Sequence, residues 1–206
     1  MVGPFLGDTI YMTSMKYIDL SYASPLSSTY PLFIIIFSII FSSQIPGILE
    51  ITGSILVITG IFVSQVRKGK VSKIGFTLAL IAALMYAIAI YLMGIALNII
   101  NAYLLTVLRI LFTIIFLTPI AVNKNIPRNP KLWLILAVGG FFGVGIGLIF
   151  MLIAIWDIGV VLTGIISSAS PMITIILSLL IFRESREIKK LVGIVLIMSG
   201  LFILSI

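Results

Sequence analysis

Apolar stretches of about twenty residues follow one another along nearly the whole chain, with only short polar breaks between them. This pattern leaves few folds open. In lipid every backbone N–H and C=O has to be bonded within its own structure, so a run of this length crosses as a helix. Strands of a membrane barrel would be about half as long and would alternate in polarity. The stretches run from about Gly3 to Leu20, Tyr22 to Phe41, Gly47 to Val66, Ile74 to Leu97, Ile99 to Val122, Leu132 to Ile155, Val160 to Phe182 and Ile188 to Ile206. The first is the weakest, because Asp8, Thr9, Thr13, Ser14 and Lys16 interrupt it. Composition points the same way: 61% of residues are hydrophobic and 9% charged, against about 25% charged in a soluble domain. Too few polar residues exist to cover a globular surface. The sequence predicts an all-α, polytopic transmembrane helical bundle of about eight spans.

Two of the stretches carry an internal proline beside small hydroxyl residues: Ser27, Ser28, Thr29, Tyr30, Pro31 and, downstream, Ser167, Ser168, Ala169, Ser170, Pro171. Proline breaks the backbone ladder, and neighbouring hydroxyls can satisfy the groups it frees. Pro31 and Pro171 stand 140 positions apart. Without gaps, the same offset places Gly3 on Gly143, Gly7 on Gly147, Ser38 on Ser178, Gly53 on Gly193 and Gly60 on Gly200. Matched Gly, Ser and Pro over some 60 positions mark an internal duplication. Five spans, an odd number, separate the two copies, so the units are expected to lie in opposite orientations across the bilayer. Inverted repeats of this kind are typical of secondary transporters. The expected units are residues 1–66, an incomplete first repeat, and 74–206, a complete second one of five helices. By the offset, the chain is expected to begin partway through the third helix of its first unit.

The proline-centred helices, each followed by a polar turn and a closing helix with glycines seven apart, resemble the EamA group of the drug/metabolite transporter superfamily. The second turn, Phe182-Arg183-Glu184-Ser185-Arg186, is similar to the acidic-basic turn of that group; the first, Ser42-Ser43-Gln44-Ile45-Pro46, lacks both charges. Leu105-Thr106-Val107-Leu108-Arg109 matches its arginine-bearing helix, and Tyr86 stands where it often has an aromatic residue. The resemblance implies a fold of ten spans when complete, and a carrier of small metabolites.

Several residues are candidates for a substrate cavity. Arg109 lies near mid-span, where a charge costs at least ~2.5 kcal/mol and needs a cavity or a partner. It reads either as an anchor for an anionic group or gate, or as a structural residue reaching carbonyls. Asp8 is a candidate proton site, or a wet carboxylate near the chain end. Ser27, Ser28, Tyr30, Ser167, Ser168 and Ser170 either line a cavity or cap backbone groups around Pro31 and Pro171. Tyr86, Tyr91 and Trp156 are aromatic contacts for a substrate, with Trp156 also fitting an interfacial belt. Gly139, Gly143 and Gly147 recur every four residues and suggest close helix packing rather than a flexible gate.

The chain has no cysteine and no histidine, which excludes disulfides, thiolate or imidazole metal sites and His-dependent nucleophilic catalysis. No cofactor is expected, and an enzyme is a poor fit. The net charge of +7 reads as basic loops on one side of the membrane rather than as a nucleic-acid surface. Counting Lys and Arg puts the loops after the third, fifth and seventh stretches in the cytoplasm; the family is usually described the opposite way round. Expected partners are the lipid bilayer of a prokaryotic cell membrane and a small-molecule substrate, and the pattern is compatible with a homodimer. Two functions stay open: a secondary transporter exporting amino acids or related compounds by alternating access, and a truncated, non-transporting fragment or structural partner subunit.

Overall fold

Almost every residue of the computed structural model is helical over the described stretches, residues 2–41, 46–66, 69–70, 72–122, 129–181 and 188–205. The chain opens with a π-helical turn, Val2–Gly7, continued by α1, Asp8–Ser14. Then come α2 (Leu20–Ser27), α3 (Tyr30–Phe41), α4 (Ile48–Gln65), α5 (Lys73–Leu97) and α6 (Ala102–Val122). A helix of three parts follows: α7 (Pro130–Gly139), a π-helical segment (Gly140–Ile146) and α8 (Gly147–Ser168). The last two helices are α9 (Ser170–Ile181) and α10 (Ile188–Leu204). Residues 42–45 of the first polar turn, the whole second turn, Arg67, Lys68 and Val71 of the basic linker, and residues 123–128 of the loop before α7 lie outside the described residues.

Among the described residues, five helical stretches are long and apolar enough to cross a membrane. The last, Pro130–Ile173, runs 44 residues, about twice what one crossing needs. It is broken at Gly159, whose φ of +84° is a left-handed conformation suited to glycine. That break falls in the gap expected between the sixth and seventh apolar stretches.

Both proline-bearing stretches kink at equivalent places. The first interrupts its helix at Ser28–Thr29 and the second at Ala169, each ending just before its proline. The bonds around them correspond under the offset of 140. Thr29 N–H donates to Leu26 O at 3.2 Å, and Ala169 N–H to Ile166 O at 3.1 Å. Leu32 N–H donates to Thr29 O at 3.0 Å, and Met172 N–H to Ala169 O at 2.9 Å.

The core is built in patches rather than around one centre. Ile34, Ala87, Ile90, Met93, Leu148 and Leu152 join α3, α5 and α8. Val57, Ile61, Ile165 and Ile197 join α4, α8 and α10. Ile18, Ala23, Leu26 and Ala79 seat α2 on α5. The broadest helix contact among the described elements is that of α4 with α10. It is made through backbone. A Cβ at Gly60 would lie 2.7 Å from Gly193 O, and one at Gly193 would lie 2.6 Å from Gly60 O. At the other end, a Cβ at Gly200 would lie 2.8 Å from Gly53 O. Gly53 meets Gly200 while Gly60 meets Gly193, so α4 and α10 run antiparallel.

Among the described residues the close packing expected of Gly139 and Gly143 is absent: a Cβ at either would meet nothing within 4 Å. Small residues permit close approach but do not supply a partner. Residues 130–144 are exposed throughout, from Leu132 and Trp133 to Phe141 and Phe142. An apolar face of that extent suits lipid, not water.

Two interactions fix the entry to the second half. Asp19 Oδ2 accepts the Lys70 N–H at 2.8 Å, and Asp19 N–H donates to Lys70 O at 3.1 Å. Together they tie the turn between α1 and α2 to the basic linker before α5.

Candidate functional site

Asp8, at the start of α1, is a half-buried carboxylate inside an apolar bundle. Tyr86, in the middle of α5, donates its hydroxyl to Asp8 Oδ1 at 2.7 Å. This bond joins residues 78 positions apart. It depends on the opening segment docking across α5, where Gly7 lies against the Tyr86 ring. Phe5 adds a second anchor, its ring 6.2 Å from that of Phe116 on α6.

Tyr30 completes an aromatic corner. Its ring stands edge-on to Tyr86, with centroids 6.3 Å apart and planes at 76°. The kink before Pro31 places it there, because Tyr30 begins α3 where α2 has ended. Tyr11, three residues after Asp8 and so on the same helix face, lies beside Ser24 of α2.

Arg109 projects from α6, half-buried. Its Nη1 contacts Met93 Sδ at 2.7 Å. Asp8 lies close enough for the two charges to attract, but no direct ion pair joins them among the described residues. Asp8, Tyr30, Tyr86 and Arg109, read from the sequence as separate candidates, thus stand in one cluster.

No hydrogen bond joins the serines to this cluster among the described residues. Ser27 Oγ donates to Ser24 O at 2.9 Å, and Ser168 Oγ to Ile165 O at 2.7 Å. Both hydroxyls therefore satisfy carbonyls of their own helices at the kinks. Ser28 and Ser167 are half-buried and Ser170 is exposed. No hydrogen bond links Ser167, Ser168 or Ser170 to the charged cluster among the described residues. Trp156 borders two depressions of about 380 and 400 Å³ with Leu97 and Asn98, away from Asp8 and Arg109.

Met93 was missed in the sequence, though a signal existed. It is seven residues beyond Tyr86, two turns along α5 and on the same face. Thr163 was missed too. It is only 3% exposed, and its Oγ1 has no hydrogen-bond partner among the described residues. A helical threonine ordinarily bonds the carbonyl four residues back. Here that residue is Gly159, where the helix is broken.

An apolar helical bundle with charges of both signs held inside it is compatible with a membrane carrier. The sequence matches the EamA-like transporter family over residues 1–65 and 73–206. The chain belongs to that family of membrane transporters. It is 24% identical, over 204 residues, to an uncharacterized transporter of Archaeoglobus fulgidus, covering 99% of this chain and 73% of that protein. A solved crystal structure, 18% identical, superposes with a TM-score of 0.80 over 99% of this chain and 75% of its own. The first similarity agrees with an integral membrane transporter; the second concerns the fold.

Proposed function

We propose that this protein is a multi-pass secondary transporter of the cell membrane, moving small metabolites by alternating access of two inverted repeats, 1–66 and 74–206. Efflux of amino acids or related compounds is the activity assigned. The observation that carries the reading is the α4–α10 contact. A shift of 140 turns the Gly53–Gly200 contact into the Gly193–Gly60 contact, so each repeats the other with its partners exchanged. Two copies related by a two-fold axis in the membrane plane would pack this way, and such pairs rock about a site near the midplane. The equivalent kinks at Thr29 and Ala169 support the same relation. Asp8, Tyr30, Tyr86 and Arg109 are assigned to the substrate path; Ser27, Ser28, Ser167, Ser168 and Ser170 are assigned to the two kinks that border it.

The test is flux. The chain is reconstituted into liposomes loaded with a panel of amino acids and small organic acids, and release is followed. Release above that of empty liposomes is expected, with Arg109→Gln and Tyr86→Phe both slower than wild type. A chain that inserts as a folded helical protein yet releases nothing from the panel refutes the reading.

A further inference from the structure

We propose that the two depressions beside Trp156 form one binding site for an alkylammonium group, set at the membrane surface between the α5–α6 turn and the break in α8. This site is separate from the Asp8–Arg109 cluster and does not depend on what the carrier moves.

The depressions, of about 380 and 400 Å³, share Leu97, Asn98 and Trp156, so they meet along one edge. Each has the size of a small-ligand pocket. One continues over the turn to Ile99 and Asn101, the other over the break to Gly159 and Tyr91. A Cβ at Gly159 would meet nothing within 4 Å, so the chain itself leaves this space unfilled.

Helix length fixes the depth. The 25 residues of α5 rise about 37 Å, against about 30 Å of hydrocarbon in a bilayer. The end of α5 at Leu97 therefore stands at a bilayer surface, opposite the one that Lys73 occupies. Trp156 is 66% exposed beside that end, where an indole sits between headgroups and tails. Ile95 and Ile99, both exposed, continue the rim into lipid.

The charge of the ligand follows from what surrounds the site. Residues 91–102 and 153–160 supply the whole lining and contain no Lys or Arg. Asp157 follows Trp156 and lies four residues after Ile153, on the flank of the lining face. It is exposed, and its carboxylate has neither hydrogen bond nor ion pair among the described residues. The C-terminal end of α5 favours positive charge as well. Leu97 O takes no backbone hydrogen bond among the described residues. The indole of Trp156 adds cation–π attraction. α6 and the helix beyond Gly159 also begin here, and their first N–H groups would suit an anion. One such group is already taken, the Leu104 N–H by Asn101 Oδ1 at 2.8 Å. An anion would still have to sit near Asp157 with no cation to offset it.

Membrane lipids carry alkylammonium in their headgroups, and dissolved amines carry it too. The experiment uses the full chain with Trp133→Phe, which leaves Trp156 as the sole tryptophan. It is reconstituted in phosphatidylglycerol, and Trp156 quenching is titrated with brominated phosphatidylethanolamine, phosphatidylcholine and phosphatidylglycerol. The two ammonium lipids are expected to compete for the site at least ~3-fold better than the glycerol lipid, the worth of one exposed cation–π contact. Asp157→Asn should halve that preference. Glu50→Gln, which removes an equal charge on α4, should leave it unchanged. Choline and ethanolamine, added in solution, separate the sources: displacement of the brominated lipid assigns the site to a free amine, and no displacement assigns it to the lipid headgroup. Both results uphold an ammonium site. Equal quenching by the three lipids overturns the proposal, as does a preference for the glycerol lipid, which would mark an anion site. A preference that Asp157→Asn leaves intact overturns it too. The comparison of lipids on the parent chain decides even where a variant fails to insert.

Discussion

Replacing Gly60 by alanine puts a methyl group where two backbones already touch. Its Cβ would lie 2.7 Å from Gly193 O, 2.7 Å from Ile197 Cγ1 and 2.9 Å from Ile197 N, whereas ordinary contacts begin near 3.4 Å. The helices would have to part by the difference, about 0.7 Å. Two of the three obstructing atoms are main chain and cannot rotate away. Forcing extra volume into a packed contact costs roughly 1–3 kcal/mol. Alanine is also a better helix former than glycine by about 1 kcal/mol, which acts in the opposite direction. Gly139→Ala is the matched control: it makes the same intrinsic change in a helix, with nothing within 4 Å of the new methyl. The difference between the two variants then isolates the overpacking. Unfolding of the purified protein, titrated from mild detergent into SDS and followed by circular dichroism, should rank Gly60→Ala below Gly139→Ala by roughly 1–3 kcal/mol. Adding Ile197→Ala should not restore the loss, because Gly193 O stays in place. Equal stability of the two variants would refute the tight antiparallel seam between α4 and α10.

Thr163→Val keeps the shape and removes the orphaned hydroxyl, so it should stabilise the fold by on the order of 1 kcal/mol, read as a higher midpoint in the same titration. A lower midpoint would mean that the hydroxyl has a bonding role. Asp19→Ala removes one of the two bonds between the α1–α2 turn and Lys70. With about 1 kcal/mol lost, trypsin should cut after Lys70 roughly five-fold faster, as seen by mass spectrometry of the fragments. An unchanged rate would show that the carboxylate does not hold the linker.

The helices were legible because lipid leaves the backbone one local solution, and local rules are what a sequence carries. The kinks before Pro31 and Pro171 follow from a missing N–H and a ring clash within one turn. The break at Gly159 fell in a gap that the apolar runs had already marked. Partner choice was less legible. Gly139, Gly143 and Gly147 have the better small-residue spacing, yet that face of residues 130–146 is exposed or half-exposed, and the tight glycine-to-glycine contacts lie between α4 and α10. Spacing states that approach is allowed; only the tertiary arrangement states what approaches. The bond from Tyr86 to Asp8 was hidden for the same reason, since nothing local to either residue points 78 positions along the chain. Arg109 was visible as an expense, a charge in an apolar run, while its neighbour Met93 offered no such signal.

The α4–α10 seam has one further consequence. A contact that reproduces itself when its two sides are exchanged is what a closed two-fold dimer makes, the same patch serving both partners. Here both patches belong to one chain. Association is therefore intramolecular, and the effective concentration of one half around the other is set by the tether rather than by how much protein the membrane holds. Diluting the protein in lipid, which dissociates a dimer of separate chains, leaves this pairing untouched.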